Sequence, residues 1–186
     1  MSDPKVYERI DTEMGEVLIR EFTPKDIHSQ ILYFYESPHE FLEEIGYAPS
    51  QFPEQNEFEA QRLRRLEDDE RSGKPRMLAA ALRGEMVGYV FICDREMFCG
   101  LHKVFFHIIR PDLRGKGLGI KMARAAFGVF AELHDLDRVI AEPSKFHAGA
   151  NSALKKLGAR FIGYDHLPPG PLTAGGDVAR YEVQLK

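Results

Sequence analysis

The chain has 186 residues, with 25 Lys and Arg against 29 Asp and Glu for a formal net charge of −4, and 44% of its residues are hydrophobic. That length suits a single domain burying about two-thirds of its unfolded surface without a disulfide or metal staple, and the composition excludes a largely disordered chain. The charge excludes bulk attraction to nucleic acid or an anionic membrane, so any anion site must be local. The longest apolar stretch, around Val104 to Ile109, is far shorter than the ~20 residues of a membrane helix. Two cysteines, Cys93 and Cys99, form no disulfide framework, and the N-terminus reads as no signal peptide, so a reducing cytoplasm is expected.

In chain order, Val6 to Ile10 and Val17 to Phe22 read as strands, with residues 1–15 an N-terminal strand extension to one domain spanning 1–186. Thr23-Pro24 starts a helix in which Ile27, Ile31, Phe34 and Tyr35 recur at helical spacing. Ser37 to Asn56 holds three prolines and several aromatics without period, and Glu57 to Arg71 is a charged helix. Met77 to Leu82 and Met86 to Cys93 form an antiparallel pair turning at Arg83-Gly84-Glu85. Lys103 to Ile109 is an apolar, β-branched and aromatic run that suits a central strand.

After that strand the helix from Leu118 to about His134 shows Leu118, Met122, Ala126, Val129 and Leu133 on one face, and Val139 to Ala141 is the next buried strand. Ala150 to Leu157 is a short helix closed by Gly158, and strands follow at Phe161 to Tyr164 and Val178 to Leu185, around a Pro/Gly-rich loop from Leu167 to Gly176. The fold class is α/β, with a mixed, mostly antiparallel central sheet flanked by helices.

Between strand and helix stands Arg114-Gly115-Lys116-Gly117-Leu118-Gly119. Its glycines permit a sharp turn and close approach of a ligand where a helix begins with unpaired N–H groups and a positive dipole end. Such a site favours phosphate, and Arg114 and Lys116 add positive charge. The spacing fits neither a Walker loop nor the GxGxxG dinucleotide fingerprint. Cys93, Asp94, Glu96, Cys99 and His102 lack metal-ligand spacing, so no metal is implied. His102 and His107 point to opposite strand faces and form no pair.

The segment His107-Ile108-Ile109-Arg110-Pro111-Asp112-Leu113-Arg114-Gly115-Lys116-Gly117-Leu118-Gly119 resembles motif A of the GCN5-related N-acetyltransferase (GNAT) superfamily. Arg114, Gly117 and Gly119 fill its Arg/Gln-x-x-Gly-x-Gly/Ala signature, after an apolar strand and before an amphipathic helix. The order of elements is similar from about Val17 to Lys186, and the motifs are nearest to the ribosomal-protein alanine acetyltransferase branch. The resemblance implies a GNAT-like fold and transfer of an acetyl group from acetyl-CoA directly to a primary amine of a small molecule or peptide. Main-chain groups at Ile108 and Ile109 would then pair with pantetheine, and Gly115 to Ile120 would surround the pyrophosphate. The alternative is a non-catalytic acyl-CoA-binding or regulatory module of the same fold. Acetyl-CoA and an amine acceptor are the expected partners, with no nucleic acid, no membrane, and a monomeric or homodimeric state.

Acyl transfer to an amine benefits from a proton acceptor near the nitrogen and a donor for the departing thiolate. Glu142 closes the strand Val139-Ile140-Ala141 before Pro143, where the branch carries a glutamate; it reads either as that acceptor or as a solvated strand-end carboxylate. The same register puts His147 where the family has an Asn that touches the cofactor, unless an insertion gives that role to Asn151. It puts Leu154 at the family's Tyr. Leucine has no proton to give, so either the thiolate leaves without a side-chain acid or a residue such as Tyr164 substitutes.

Overall fold

The computed structural model describes residues 3–170, 172–173 and 175–185, with side chains undescribed at 94–97. One sheet of eight strands runs in the order β1 (Val6–Thr12), β2 (Gly15–Glu21), β3 (Met77–Leu82), β4 (Glu85–Phe98), β5 (Leu101–Ile108), β6 (Arg138–Ala141), β8 (Gly176–Gln184), β7 (Arg160–Leu167). All neighbours are antiparallel except β5 and β6, which are parallel. The helices are α1 (Pro24–Tyr35), α2 (His39–Glu44), α3 (Gln55–Ser72), α4 (Leu118–His134) and α5 (Ala148–Lys156). This is the mixed, mostly antiparallel sheet expected from the sequence.

One face of the sheet is covered by α4. Leu118, Met122, Ala126, Val129 and Phe130 recur at helical spacing and are buried against Val17, Ile19, Val90, Val104 and Val139 from four strands. Phe130 is fully buried, and truncating such a ring costs about 3–5 kcal/mol. The opposite face packs under α1 and α3, through Phe22, Ile27, Met77 and Tyr89 and through Tyr33, Phe34, Leu42, Tyr47 and Phe58. The start of α1 is fixed by Asp26, which accepts the Thr23 N–H at 2.8 Å and pairs with buried Arg20 at 2.7 and 2.8 Å.

The aperiodic stretch from Ser37 to Asn56 contains α2 and a short 3-10 turn at Pro49–Gln51. Six residues with only Leu42 fully buried cannot display a helical period, which is why the sequence does not announce α2. Strand β4 runs on to Phe98, past the expected end at Cys93, because it continues to pair with β5 beyond a register shift.

The sheet opens between β5 and β6. Only Lys103 and Ile140 are registered across that pair, and β6 ends at Ala141. Pro143, which has no N–H to donate, then leads the chain toward β8: its carbonyl accepts the Ala179 N–H at 3.0 Å, and Ser144 bridges Val178. Among the described residues, the C-terminal half of β5 has β4 on one side and no strand on the other.

Candidate active site

The open edge of β5 carries main-chain groups aimed away from β4. Ile109 donates its N–H to the Val87 carbonyl at 3.0 Å. By the alternation of an antiparallel ladder the N–H and carbonyl of Ile108 face the gap. Ile108 and Ile109 are therefore not equivalent: the Ile109 N–H is already used inside the sheet, and the Ile108 main chain borders the opening.

Past a 3-10 turn at Pro111–Leu113 the chain enters the glycine loop. Gly115 and Gly117 sit at φ 75° and 78°, a region costly for residues with a side chain, and a Cβ at either would meet nothing within 4 Å. Gly117 is the N-cap of α4, no side chain caps the helix, and no acidic residue stands in its first turn. The N–H groups of the first turn that find no partner within the helix and the positive dipole end thus stand beside a loop whose glycines leave open space. Ile120 N–H returns to the Gly117 carbonyl at 3.2 Å, the Leu118 side chain is buried in the core, and Lys116 is exposed beside the loop. A Cβ on Gly119 would lie 3.7 Å from Ile108 Cγ1, so loop and strand end are in contact. The arrangement fits a pyrophosphate at the helix start with an extended chain running along β5.

Arg114 departs from the role its charge suggested. Its Nε donates to the Ile108 carbonyl at 3.1 Å and its Nη2 to the Ile109 carbonyl at 3.4 Å. The guanidinium also lies 4.1 Å from the centre of the Phe41 ring. The side chain turns back over β5 and ties it to α2 instead of flanking the loop.

The wall opposite the gap is aromatic. His107, partly buried, has the Tyr33 hydroxyl 3.2 Å from Nδ1 and the Tyr47 hydroxyl 3.2 Å from Nε2, and stacks on Tyr89. A neutral imidazole satisfies both partners, donating to one hydroxyl and accepting from the other. Burial, aided by the positive potential of His147, Arg114 and Arg62, pushes the imidazole down to about 3, and burial pushes both tyrosines up. This trio draws on α1, the segment after α2 and β5, and no local pattern in the sequence signals it.

Glu142 is neither solvated nor free. Its side chain is 3% exposed; Oε1 accepts from Arg180 Nε, and Oε2 lies 2.7 Å from Lys103 Nζ, an ion pair whose angles miss hydrogen-bond geometry. Tyr164 lies on the outer strand β7, is 72% exposed, and packs its ring against Phe161. Leu154 is buried in the core beneath α4.

His147 and Asn151 occupy different roles. Asn151 Nδ2 donates to the Ser144 and His147 carbonyls at 2.9 and 2.8 Å, and its Oδ1 accepts from the Tyr181 hydroxyl at 3.0 Å. Both ends of that amide brace the turn between β6 and α5. His147 is the N-cap of α5, and its Nδ1 is buried without a hydrogen-bond partner. Burial pulls its imidazole below the ordinary value, with Glu44 acting against and Arg114 with that shift. Of Cys93, Asp94, Glu96, Cys99 and His102, Asp94 and Glu96 lie outside the described side chains, and among the described residues no three His, Cys, Asp or Glu side chains are grouped to hold a metal. Among the described residues, no helix is long and apolar enough to cross a membrane.

The geometry agrees with comparisons to known proteins. No curated protein sequence matches the chain. Solved structures with the same fold include RimL, described as a ribosomal L7/L12 alpha-N-protein acetyltransferase in complex with coenzyme A, at 14% identity and TM-score 0.76 over 97% of this chain and 98% of that one. RimJ of Mycobacterium smegmatis, in complex with a CoA-disulfide, is similar at 15% identity and TM-score 0.75 over 97% and 88% of the two chains. The ribosomal-protein-S5-alanine acetyltransferase of Vibrio fischeri follows at 14% and 0.73 over 96% and 97%. At such identities these likenesses speak for the fold. The model of the acetyltransferase (GNAT) domain matches residues 16–160, taking in the sheet opening, the glycine loop and α5. The chain therefore belongs to the acetyltransferase (GNAT) domain family and is by that membership an acetyl-CoA-dependent acetyltransferase.

Proposed function

We propose that this acetyltransferase binds acetyl-CoA along the open edge of β5, with the pyrophosphate at the start of α4, and passes the acetyl group directly to a primary amine of a small molecule or peptide. The observation that carries the reading is the contact of two features: an uncapped helix N-terminus behind positive-φ glycines, and a strand edge without a neighbour. The segment Gly115 to Ile120 surrounds the phosphates, with the N–H groups it leaves unbonded as donors, and the Ile108 main chain and the Ile109 carbonyl pair with the pantetheine arm. Lys116 adds charge from solvent, and Arg114 holds the two carbonyls in place. Asn151 shapes the turn that presents His147.

The two side chains first singled out for proton transfer enter this reading under conditions. Glu142 receives a proton only if it exchanges its contact with Lys103 or Arg180, and its position at the end of β6 is what supports that role. Tyr164 reaches a thiolate only if the acyl donor extends toward β7. One domain spanning residues 1–186, with β1 as its outer strand, is supported by the continuity of the sheet, and a cytoplasmic location by the free thiols Cys93 and Cys99. Recognition of neither nucleic acid nor membrane is supported by the net charge of −4.

The test is thiol release from acetyl-CoA in the presence of an amine panel covering peptide N-termini, polyamines and amino acids. Release that depends on one amine class, with the acetylated amine found by mass spectrometry, is the expected result. Retention of acetyl-CoA with no thiol released for any amine would instead identify a binding or regulatory module.

A further inference from the structure

Direct transfer leaves one question that the paired Glu142 and the twice-bonded His107 do not answer: where the amine's proton goes. We infer that His147 is the catalytic base that takes this proton at Nε2, and that Glu44 is the positioning residue that orients its ring. The inference rests on the acetyl-transfer reading and adds to it the identity of the base.

The geometry singles out His147. Its main chain is held by three hydrogen bonds, N–H to the Ser144 carbonyl at 3.0 Å, carbonyl from the Asn151 N–H at 3.1 Å and carbonyl from Asn151 Nδ2 at 2.8 Å. The ring is therefore presented from a fixed turn just after β6. Nδ1 is buried and unpartnered, and the Glu44 Oε1 from α2 stands 3.9 Å from it. That is long for a hydrogen bond, as catalytic contacts often are before substrate binds. A carboxylate on that side favours the tautomer with the proton on Nδ1 and leaves the Nε2 lone pair available. Among the described residues Nε2 takes part in no hydrogen bond, and it is not among the buried unpartnered atoms of a side chain that is 28% exposed, so it is open to solvent. The charged and titratable groups facing the ring are Glu44 from α2, Arg114 from the glycine loop and His107 from β5. Two of these groups belong to the end of β5 or are bonded to it, the end at which the proposed function lays the acyl chain: His107 is on that strand, and Arg114 donates to the Ile108 and Ile109 carbonyls. With its pKa held below the ordinary value, the ring is neutral and able to accept at neutral pH.

In the step, the amine lone pair forms the N–C bond to the thioester carbonyl carbon. The surplus proton on nitrogen passes to His147 Nε2, and the C–S bond breaks with its electron pair leaving on sulphur. The imidazolium then returns its proton through solvent to the thiolate, so the ring ends neutral and the acetylated amine and free thiol account for every atom.

The experiment compares wild type with His147→Gln and Glu44→Gln by three readouts: calorimetry with acetyl-CoA, kcat/KM against pH with the amine that releases thiol, and imidazole 15N spectra of the acetyl-CoA-loaded protein. We expect His147→Gln to bind acetyl-CoA yet lose about 10²–10⁴-fold in kcat/KM together with the rising acid limb of the profile. Glu44→Gln, on an exposed side chain, should move that limb to lower pH, since it removes the charge that raises the ring's pKa. The spectra should show His147 protonated on Nδ1 at neutral pH. Wild-type kcat/KM and an unchanged limb in His147→Gln would overturn the inference, as would an Nε2-protonated ring. No acetyl-CoA binding by folded wild type would sink the acetyl-transfer reading instead.

Discussion

The guanidinium of Arg114 is bonded to the main chain of Ile108, six residues before it, through Nε at 3.1 Å from the carbonyl, while the same group lies over the Phe41 ring. One side chain thus links the exposed end of β5 to α2. Arg114→Lys keeps the charge and loses both the fork and the stacking. It should weaken acetyl-CoA binding about tenfold, the factor that ~1.4 kcal/mol of lost positioning gives, and calorimetry checks it. Affinity equal to wild type would mean that this charge, and not the fork, matters.

Gly88 sits opposite Ile108 in the β4–β5 ladder. A Cβ there would come within 2.6 Å of the His107 carbonyl and 2.9 Å of Met122 Sδ. The backbone contact cannot be relieved by a rotamer change, so Gly88→Ala should force the two strands apart beside the opening. We expect a loss of about 1–3 kcal/mol in urea unfolding and weaker acetyl-CoA binding. A stable variant with full affinity would show that the strand end tolerates displacement.

The partly buried imidazole of His107, bonded at both ring nitrogens, gives the fold a pH dependence of definite sign. Its value near 3 stands against 6.5 for a free histidine. Between the two, the unfolded chain binds a proton that the folded chain does not, so stability falls as pH drops below 6.5, by about 1.4 kcal/mol per unit. His134 and His147 are lowered too and act in the same sense. His107→Gln should be less stable at pH 7, since it disturbs the bonds to Tyr33 and Tyr47, yet between pH 7 and 5 it should lose about 2 kcal/mol less than wild type does. Parallel losses in urea titrations at the two pH values would contradict a His107 held neutral in the fold.

What the sequence disclosed and what it withheld follow from distance along the chain. The run from Ile108 to Gly119 was legible because a strand end, positive-φ glycines and a helix start succeed one another within a dozen residues, and each restricts residue type locally. The amphipathic stripe of α4 was legible for the same reason. The direction of Arg114 was not, since charge beside a glycine loop says nothing about whether the side chain points to the loop or back over the strand. Burial of Glu142 was hidden because Lys103 and Arg180 come from β5 and β8, and a Glu before Pro looks alike solvated or paired. The bonds of His107 to Tyr33 and Tyr47 span 74 and 60 residues, beyond any pattern read in a window. Tyr164 was proposed by its residue type; its exposure on β7 depends on the order of the last strands.

The most direct measurement of the central claim is calorimetric binding of acetyl-CoA to wild type and to Gly117→Asp. Gly117 caps α4 at φ 78° with open space where a side chain would stand, so the variant places a carboxylate and a strained residue at the phosphate position. The account predicts binding by wild type and its loss in a variant that remains folded by circular dichroism. Equal binding by both proteins would move the cofactor away from the start of α4 and contradict the account.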